Sequence, residues 1–179
     1  GKYAEAMAIV ARTLAWKEAN LGPEHPDTSE SLNHLAALYT AQGLFAKAEP
    51  LSQRALAIQE KSLGPEHPDT ATSLNNLAWL YGSQGLYPKA EPLYQRALTI
   101  REKALGSAHP DTAQSLNNLA LLYGDQGLYA KAEPLSQRAL AIRKKALGPE
   151  HPITATSLIN LAVLYNNQGH YAKAESLIR

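Results

Sequence analysis

The chain is 179 residues long, with 45% hydrophobic residues, 18% charged residues and a formal net charge of +1. This composition is too apolar for disorder, and a charge so near zero argues against binding nucleic acid by phosphate neutralisation. The absence of cysteine excludes disulfide scaffolds, thiolate metal sites and cysteine nucleophiles, and no apolar run approaches the ~18 residues of a membrane helix.

Glycines give the register of an internal repeat. Gly22, Gly64, Gly106 and Gly148 recur 42 residues apart, as do Gly43, Gly85, Gly127 and Gly169. The period divides the chain into a partial unit over 1–21, three units over 22–63, 64–105 and 106–147, and a shortened unit over 148–179. One continuous repeat domain over 1–179 is expected, and both ends read as cuts through a longer array. In chain order, 1–21 reads as the second helix (B) of a pair, and each later unit as a helix A followed by a helix B.

Helix A of the unit 64–105 carries Leu74, Leu77, Ala78 and Tyr81 at helical spacing. His67-Pro68-Asp69 supplies its start, with the aspartate expected to cap the free amides, and Gly85 its end. Helix B carries Ala90, Leu93, Ala97, Ile100 and Ala104 as its expected buried stripe. Pro50, Pro92 and Pro134 sit inside helix B, where a bend or a widened first turn is expected. Ile153 stands where Asp27, Asp69 and Asp111 stand in the other units, so the last helix A is expected to lose about 1 kcal/mol of capping and to fray first. One such hairpin cannot bury its own apolar face, so neighbours must stack. The expected fold is all-α, a right-handed superhelical solenoid of antiparallel helix pairs.

The residues Leu77-Ala78, Tyr81, Gly85, Tyr87, Ala90, Tyr94 and Ala97 resemble the tetratricopeptide repeat, whose usual period is about 34 residues. The extra length falls after Ala97, as two further turns of helix B and a Leu-Gly-x-x-His-Pro-Asp loop. That longer form is similar to the cargo-binding domain of kinesin light chains, through Leu-Asn-Asn-Leu-Ala (74–78), Ala-Ile-Arg-Lys-Lys (141–145) and Ala-Glu-Pro-Leu (132–135). The resemblance implies a protein-binding adaptor. It also implies that the arginine of Ile-Arg-Glu-Lys and the second asparagine of Leu-Asn-Asn-Leu-Ala face a peptide groove, which pairs Arg101 with Asn118 and Arg143 with Asn160.

The second face of helix A is short of charge for a solvated surface. It carries Asn75, Asn76 and Trp79 in one unit, Asn33 and His34 before it, Asn117, Asn118 and Leu121 after it, then Asn160 and Val163. Asn75 and Asn117 read equally as inter-helix links or as groove residues, whereas Asn76, Asn118 and Asn160 read as groove residues. Arg101 and Arg143 read equally as groove cations or as side chains that snorkel over apolar surface. In the groove reading, the asparagines bond an extended backbone and Trp79, Leu121 and Val163 receive apolar side chains. The arginines then favour an acidic ligand with an aromatic anchor, chiefly in the later units. The alternatives are a scaffold that self-associates end to end through terminal repeats, and single-stranded RNA binding, disfavoured by the charge.

His25, His67, His109 and His151 lie one per unit, too far apart to share a metal, and read as loop and capping residues. No phosphate loop, His-Glu-x-x-His or Gly-x-Ser-x-Gly occurs. No enzyme activity, metal or cofactor is expected, and a cytoplasmic setting is.

Overall fold

The computed structural model describes residues 2–178, with side chains over 4–177. Among the described residues the chain is all helix and turn, an all-α repeat solenoid. The helices are α1 (Lys2–Asn20), α2 (Pro26–Ala41), α3 (Phe45–Ser62), α4 (Pro68–Ser83), α5 (Tyr87–Leu105), α6 (Pro110–Asp125), α7 (Tyr129–Leu147), α8 (Pro152–Asn167) and α9 (Tyr171–Ile178). Helices of even number are the A helices of the repeat, and those of odd number are the B helices. The chain forms two compact units, residues 1–100 and 101–179, divided within α5.

In the first unit α2 packs against α1, α3 and α4. Leu14, Leu32, Leu35, Ala55 and Ile58 form one buried cluster, and Ala71, Leu74, Ala97 and Ile100 form another. In the second unit α6 packs on α7 and α8, and α8 also packs on α7 and α9. Leu116, Leu119, Ala120, Ala132, Ala139 and Leu161 are buried there. Fully buried Ala48, Ala90 and Ala132 occupy one register of helix B, with Ala55, Ala97 and Ala139 a further two turns along. A side chain this small lets helix axes approach closely, which accounts for alanine at these places.

Helix A is capped by histidine, not by the aspartate two residues later. His25, His67, His109 and His151 adopt extended backbone angles, and the Nδ1 of each accepts the amide of residue i+2 at 3.1–3.2 Å. Nδ1 lies as many bonds from Cα as an aspartate Oδ, so the imidazole reaches the same free amide. Asp27, Asp69 and Asp111 instead occupy the first turn, where negative charge meets the positive end of the helix. Ile153 therefore costs α8 no cap, contrary to the sequence-based expectation, because His151 holds its amide at 3.2 Å. The preceding loop is closed by a threonine hydroxyl in each case, as in Thr70 Oγ1 donating to the Gly64 carbonyl at 2.8 Å. At the other end Gly85 adopts φ +74°, which frees the Leu86 amide to reach back to Tyr81 O at 2.9 Å.

Two further expectations change. Ala104 is exposed, as are Asn20, Ser62 and Ala146 at the same register, so the apolar part of the buried stripe of helix B ends at Ile100. Pro50, Pro92 and Pro134 lie inside uninterrupted α-helix. Each removes a hydrogen bond to the carbonyl four residues earlier, on Ala46, Pro88 or Ala130. Those residues are exposed in the first turn, where a carbonyl without an intrahelical partner costs little.

Because the cap is the imidazole, His109→Ala and His151→Ala are each expected to lower stability by about 1 kcal/mol in urea unfolding. Equal losses are the expected result despite Asp111 in one helix and Ile153 in the other; no loss from His109→Ala, with or without one from His151→Ala, would return the cap to the aspartate.

Candidate functional site

The candidate site is built from the A helices and the last turns of the B helices that run beneath them. In the first unit Asn33 on α2 donates from Nδ2 to Ser73 Oγ on α4 at 2.7 Å, and Ser73 donates to Gln59 Oε1 on α3 at 2.5 Å. All three residues are buried. One short polar chain thus ties two neighbouring A helices to the B helix between them. An unpaired polar group at this depth would cost about 1–3 kcal/mol, so the hydroxyl and the amides must be placed together.

The second unit repeats the arrangement with arginine in place of glutamine. Arg101 Nη1 on α5 donates to Ser115 Oγ at 3.2 Å and to the Asp111 carbonyl at 2.9 Å. Arg143 on α7 donates to Ser157 Oγ at 2.7 Å and to Gln114 Oε1 at 2.6 Å. Arg143 is only 2% exposed, and burial pushes its guanidinium below the ordinary arginine value. At the same register Lys17 on α1 donates to the Asp27 carbonyl at 2.8 Å and pairs with Glu30 at 3.1 Å.

These contacts place each sequence-predicted residue. Asn33, Asn75 and Asn117 are buried, as are Arg101 and Arg143. Asn117 Oδ1 accepts from Asn160 Nδ2 at 3.0 Å, an A-to-A link of the kind that one reading of the asparagines anticipates. Asn76, Asn118 and Asn160 are half-buried and His34 is exposed. Trp79, Leu121 and Val163 present large apolar groups at 40%, 45% and 52% exposure. In the first unit Asn33, His34, Gln59 and Asn76 line one recess together with Glu30 and Thr72.

Sequence reasoning missed the serines. Ser73, Ser115 and Ser157 recur 42 residues apart on the buried side of helix A, and a hydroxyl at a fixed phase of an apolar stripe was the available signal. It also missed a ladder of ion pairs between successive B helices. Arg54 pairs with Glu18 at 2.6 Å, Arg96 with Glu60 at 2.7 Å and Arg138 with Glu102 at 2.7 Å. Each arginine also donates to the loop carbonyl of Pro23, Pro65 or Ser107. A constant spacing of 36 residues marked these pairs in the sequence. Among the described residues, no group of three or more histidines and carboxylates is placed to hold a metal ion. None of the described helices is long and apolar enough to cross a membrane.

Stacked helix pairs with a short-period polar node under each A helix define a helical-repeat protein. The family model of the tetratricopeptide repeat matches residues 1–58, 30–103, 80–145 and 111–179. The chain belongs to the tetratricopeptide-repeat family, in its 42-residue, kinesin-light-chain-like form. BtubC (BKLC) from P. vanneervenii superposes with a TM-score of 0.79 at 29% identity, over 99% of this chain and 71% of that one. A putative kinesin light chain with nearly identical TPR-like repeats from Podosopora anserina gives 0.74 at 32% identity, over 99% and 84%. The apo form of RapI gives 0.71 at 18% identity, over 98% and 47%, and shares the fold alone. A search of the curated proteins found no match. Tetratricopeptide repeats are in general protein-interaction modules, and the kinesin-light-chain-like neighbours are non-enzymatic scaffold folds.

The buried and exposed arginines should separate in stability. Arg143→Ala empties the buried space that the guanidinium fills under α8 and removes its hydrogen bond to Ser157, and is expected to cost about 2–3 kcal/mol in urea unfolding. Arg138→Ala, whose partner pair is open to water, is expected to cost less than about 1 kcal/mol. Similar losses from the two variants would mean that the buried node does not hold the helices together.

Proposed function

We propose that this chain binds an extended peptide or partner segment along the exposed faces of its A helices. One observation carries the reading. An exposed apolar side chain (Trp79, Leu121 or Val163) stands one helical turn from a half-buried asparagine (Asn76, Asn118 or Asn160), and the pair recurs with the repeat. Exposed apolar side chains, each beside an amide that can both donate and accept, suit a chain whose side chains alternate and whose backbone needs partners. The repeat fixes these groups before the ligand arrives, which limits the ordering cost of binding.

Asn118 and Asn160 each make one hydrogen bond within the protein, to Gln114 and Asn117, and keep capacity for a ligand. In this reading Asn33, Asn75, Asn117, Arg101 and Arg143 form the floor and hold the A helices at their spacing. Direct contacts fall to His34, Asn76, Trp79, Asn118, Leu121, Asn160 and Val163. Arg143 is held by a hydroxyl and a neutral amide, so its charge is left to attract a ligand carboxylate toward the second unit. An apolar or aromatic residue of the ligand would seat against Trp79.

Selection from a random linear peptide library is expected to yield a shared motif that the Asn76→Ala/Asn118→Ala variant no longer enriches, with affinities of individual peptides reduced about tenfold or more. Peptides bound equally well by that variant would overturn the groove assignment. A second reading, a self-associating scaffold, rests on the exposure of Ile9 and Trp16 on α1. It predicts a mass that rises with concentration in sedimentation equilibrium and returns to that of a monomer in Ile9→Ser/Trp16→Ser, whereas an adaptor with a free groove stays monomeric.

A further inference from the structure

The recess in the first unit has a charge character that the groove reading alone does not explain. It lies between α2 and α4 above the last turn of α3, and its volume is about 380 Å³, enough for one long side chain. Three carboxylates stand around it, on Asp27, Glu30 and Asp69. Lys17 pairs with Glu30, so one of the three charges is balanced from within. Asp27 and Asp69 lie 3.9 and 3.7 Å from the Nδ1 atoms of His25 and His67. Those nitrogens accept backbone amides and hence carry no proton toward the carboxylates. Two negative charges are therefore left facing the recess without a cationic side chain.

A second observation is independent of the carboxylates. Asn33 lines the same recess and is 4% exposed, and its Oδ1 has no hydrogen-bond partner. Its Nδ2 is committed to Ser73, and Ser73 to Gln59, so the polar chain beneath the recess ends in a buried acceptor. Leaving such an acceptor empty costs free energy that a donor entering the recess would recover. Carboxylates around the rim and an amide oxygen at the floor together ask for a group that is cationic and rich in N–H donors.

The second unit supplies a built-in contrast at the same register. Asp27 corresponds there to Asp111, but Glu30 corresponds to Gln114, Asp69 to Ile153 and Gln59 to the buried Arg143. The one position thus changes from acidic in the first unit to neutral or positive in the second, while the surrounding asparagines are retained.

We propose that the recess lined by Asp27, Asn33 and Asp69 is a subsite for an arginine side chain of the bound peptide. This rests on the groove reading of the A helices and adds to it a basic residue in the ligand. Arginine fits better than lysine because its planar guanidinium presents five N–H donors, which can serve two carboxylates and the Asn33 oxygen together.

Two measurements test it. Peptides enriched from the random library are expected to carry an arginine at a fixed place. Replacing it with glutamine should weaken binding to the unmodified protein about tenfold, and binding to the Asp27→Asn/Asp69→Asn protein less than about twofold. A neutral residue at the second position is compatible with the helix, since Ile153 stands there in α8; Asp69→Asn alone serves if the double variant melts early. Separately, Nα-acetylarginine amide titrated into the labelled protein should shift the Asn33 side-chain amide resonances saturably, and Nα-acetylglutamine amide should not. Peptides that need Asn76 and Asn118 but ignore the two aspartates, with no Asn33 shift, would overturn the subsite and leave the groove standing. An Asn33 shift that the aspartate variant abolishes, in a protein that enriches no peptide, would keep the recess and overturn the groove.

Discussion

An antiparallel helix pair has more apolar surface than its two members can cover, and every other feature of this chain follows from how neighbours cover it. Helix α2 is packed on α1, α3 and α4, and α8 on α6, α7 and α9. An A helix enclosed in this way has only one stripe left for solvent. Polar groups on its other sides are buried and must find partners inside the protein, which is why Ser73 meets Asn33 and Gln59, and why Ser157 meets Arg143. The surface left to solvent is what remains once those demands are met. It is narrow, repeated, and built from an asparagine and an apolar residue one turn apart.

The period, the helix pairing and the alanine contacts were legible because they depend on one helix at a time. Periodicity reports which side of a helix is apolar, and Leu74, Leu77, Ala78 and Tyr81 are buried as that pattern requires. Periodicity does not report which neighbour lies over a polar sector. Arg143 lies in the same sector as buried Ala139 and Leu140, and only the neighbour α8, through Ser157, gives the charge a partner there. The buried asparagines could not be told from the half-buried ones beside them for the same reason: Asn117 and Asn118 differ by one position in sequence and by a neighbouring helix in space. The cap was misassigned for a different reason. Aspartate is the commoner capping residue, but proline at the first helical position set the frame two residues earlier and gave the amide to histidine.

Away from the exposed faces of the A helices, recurring pairs hold the repeat with partly solvated contacts. Lys47, Lys89, Lys131 and Lys173 lie over the rings of Tyr39, Tyr81, Tyr123 and Tyr165 at 5.0–5.7 Å. Tyr81 also donates its hydroxyl to Glu49 at 2.9 Å, and Tyr165 to Glu133 at 3.1 Å. Each exposed contact is worth little alone, on the order of 0.5–1 kcal/mol, but the same contact in every unit adds along the array.

The ladder between B helices has a polarity, and this makes the copies unequal as building blocks. Arg96 finds Glu60, and Arg138 finds Glu102, one period behind. At the next rung the sequence places Lys144 where the glutamates stand. A unit copied from 64–105 would therefore accept another of its kind in tandem, since it carries both Arg96 and Glu102. A tandem copy of 106–147 would set Lys144 against an arginine and repel it. Near-identical repeats are thus ordered words rather than interchangeable letters, and shuffling them would change the assembly even where every helix still formed.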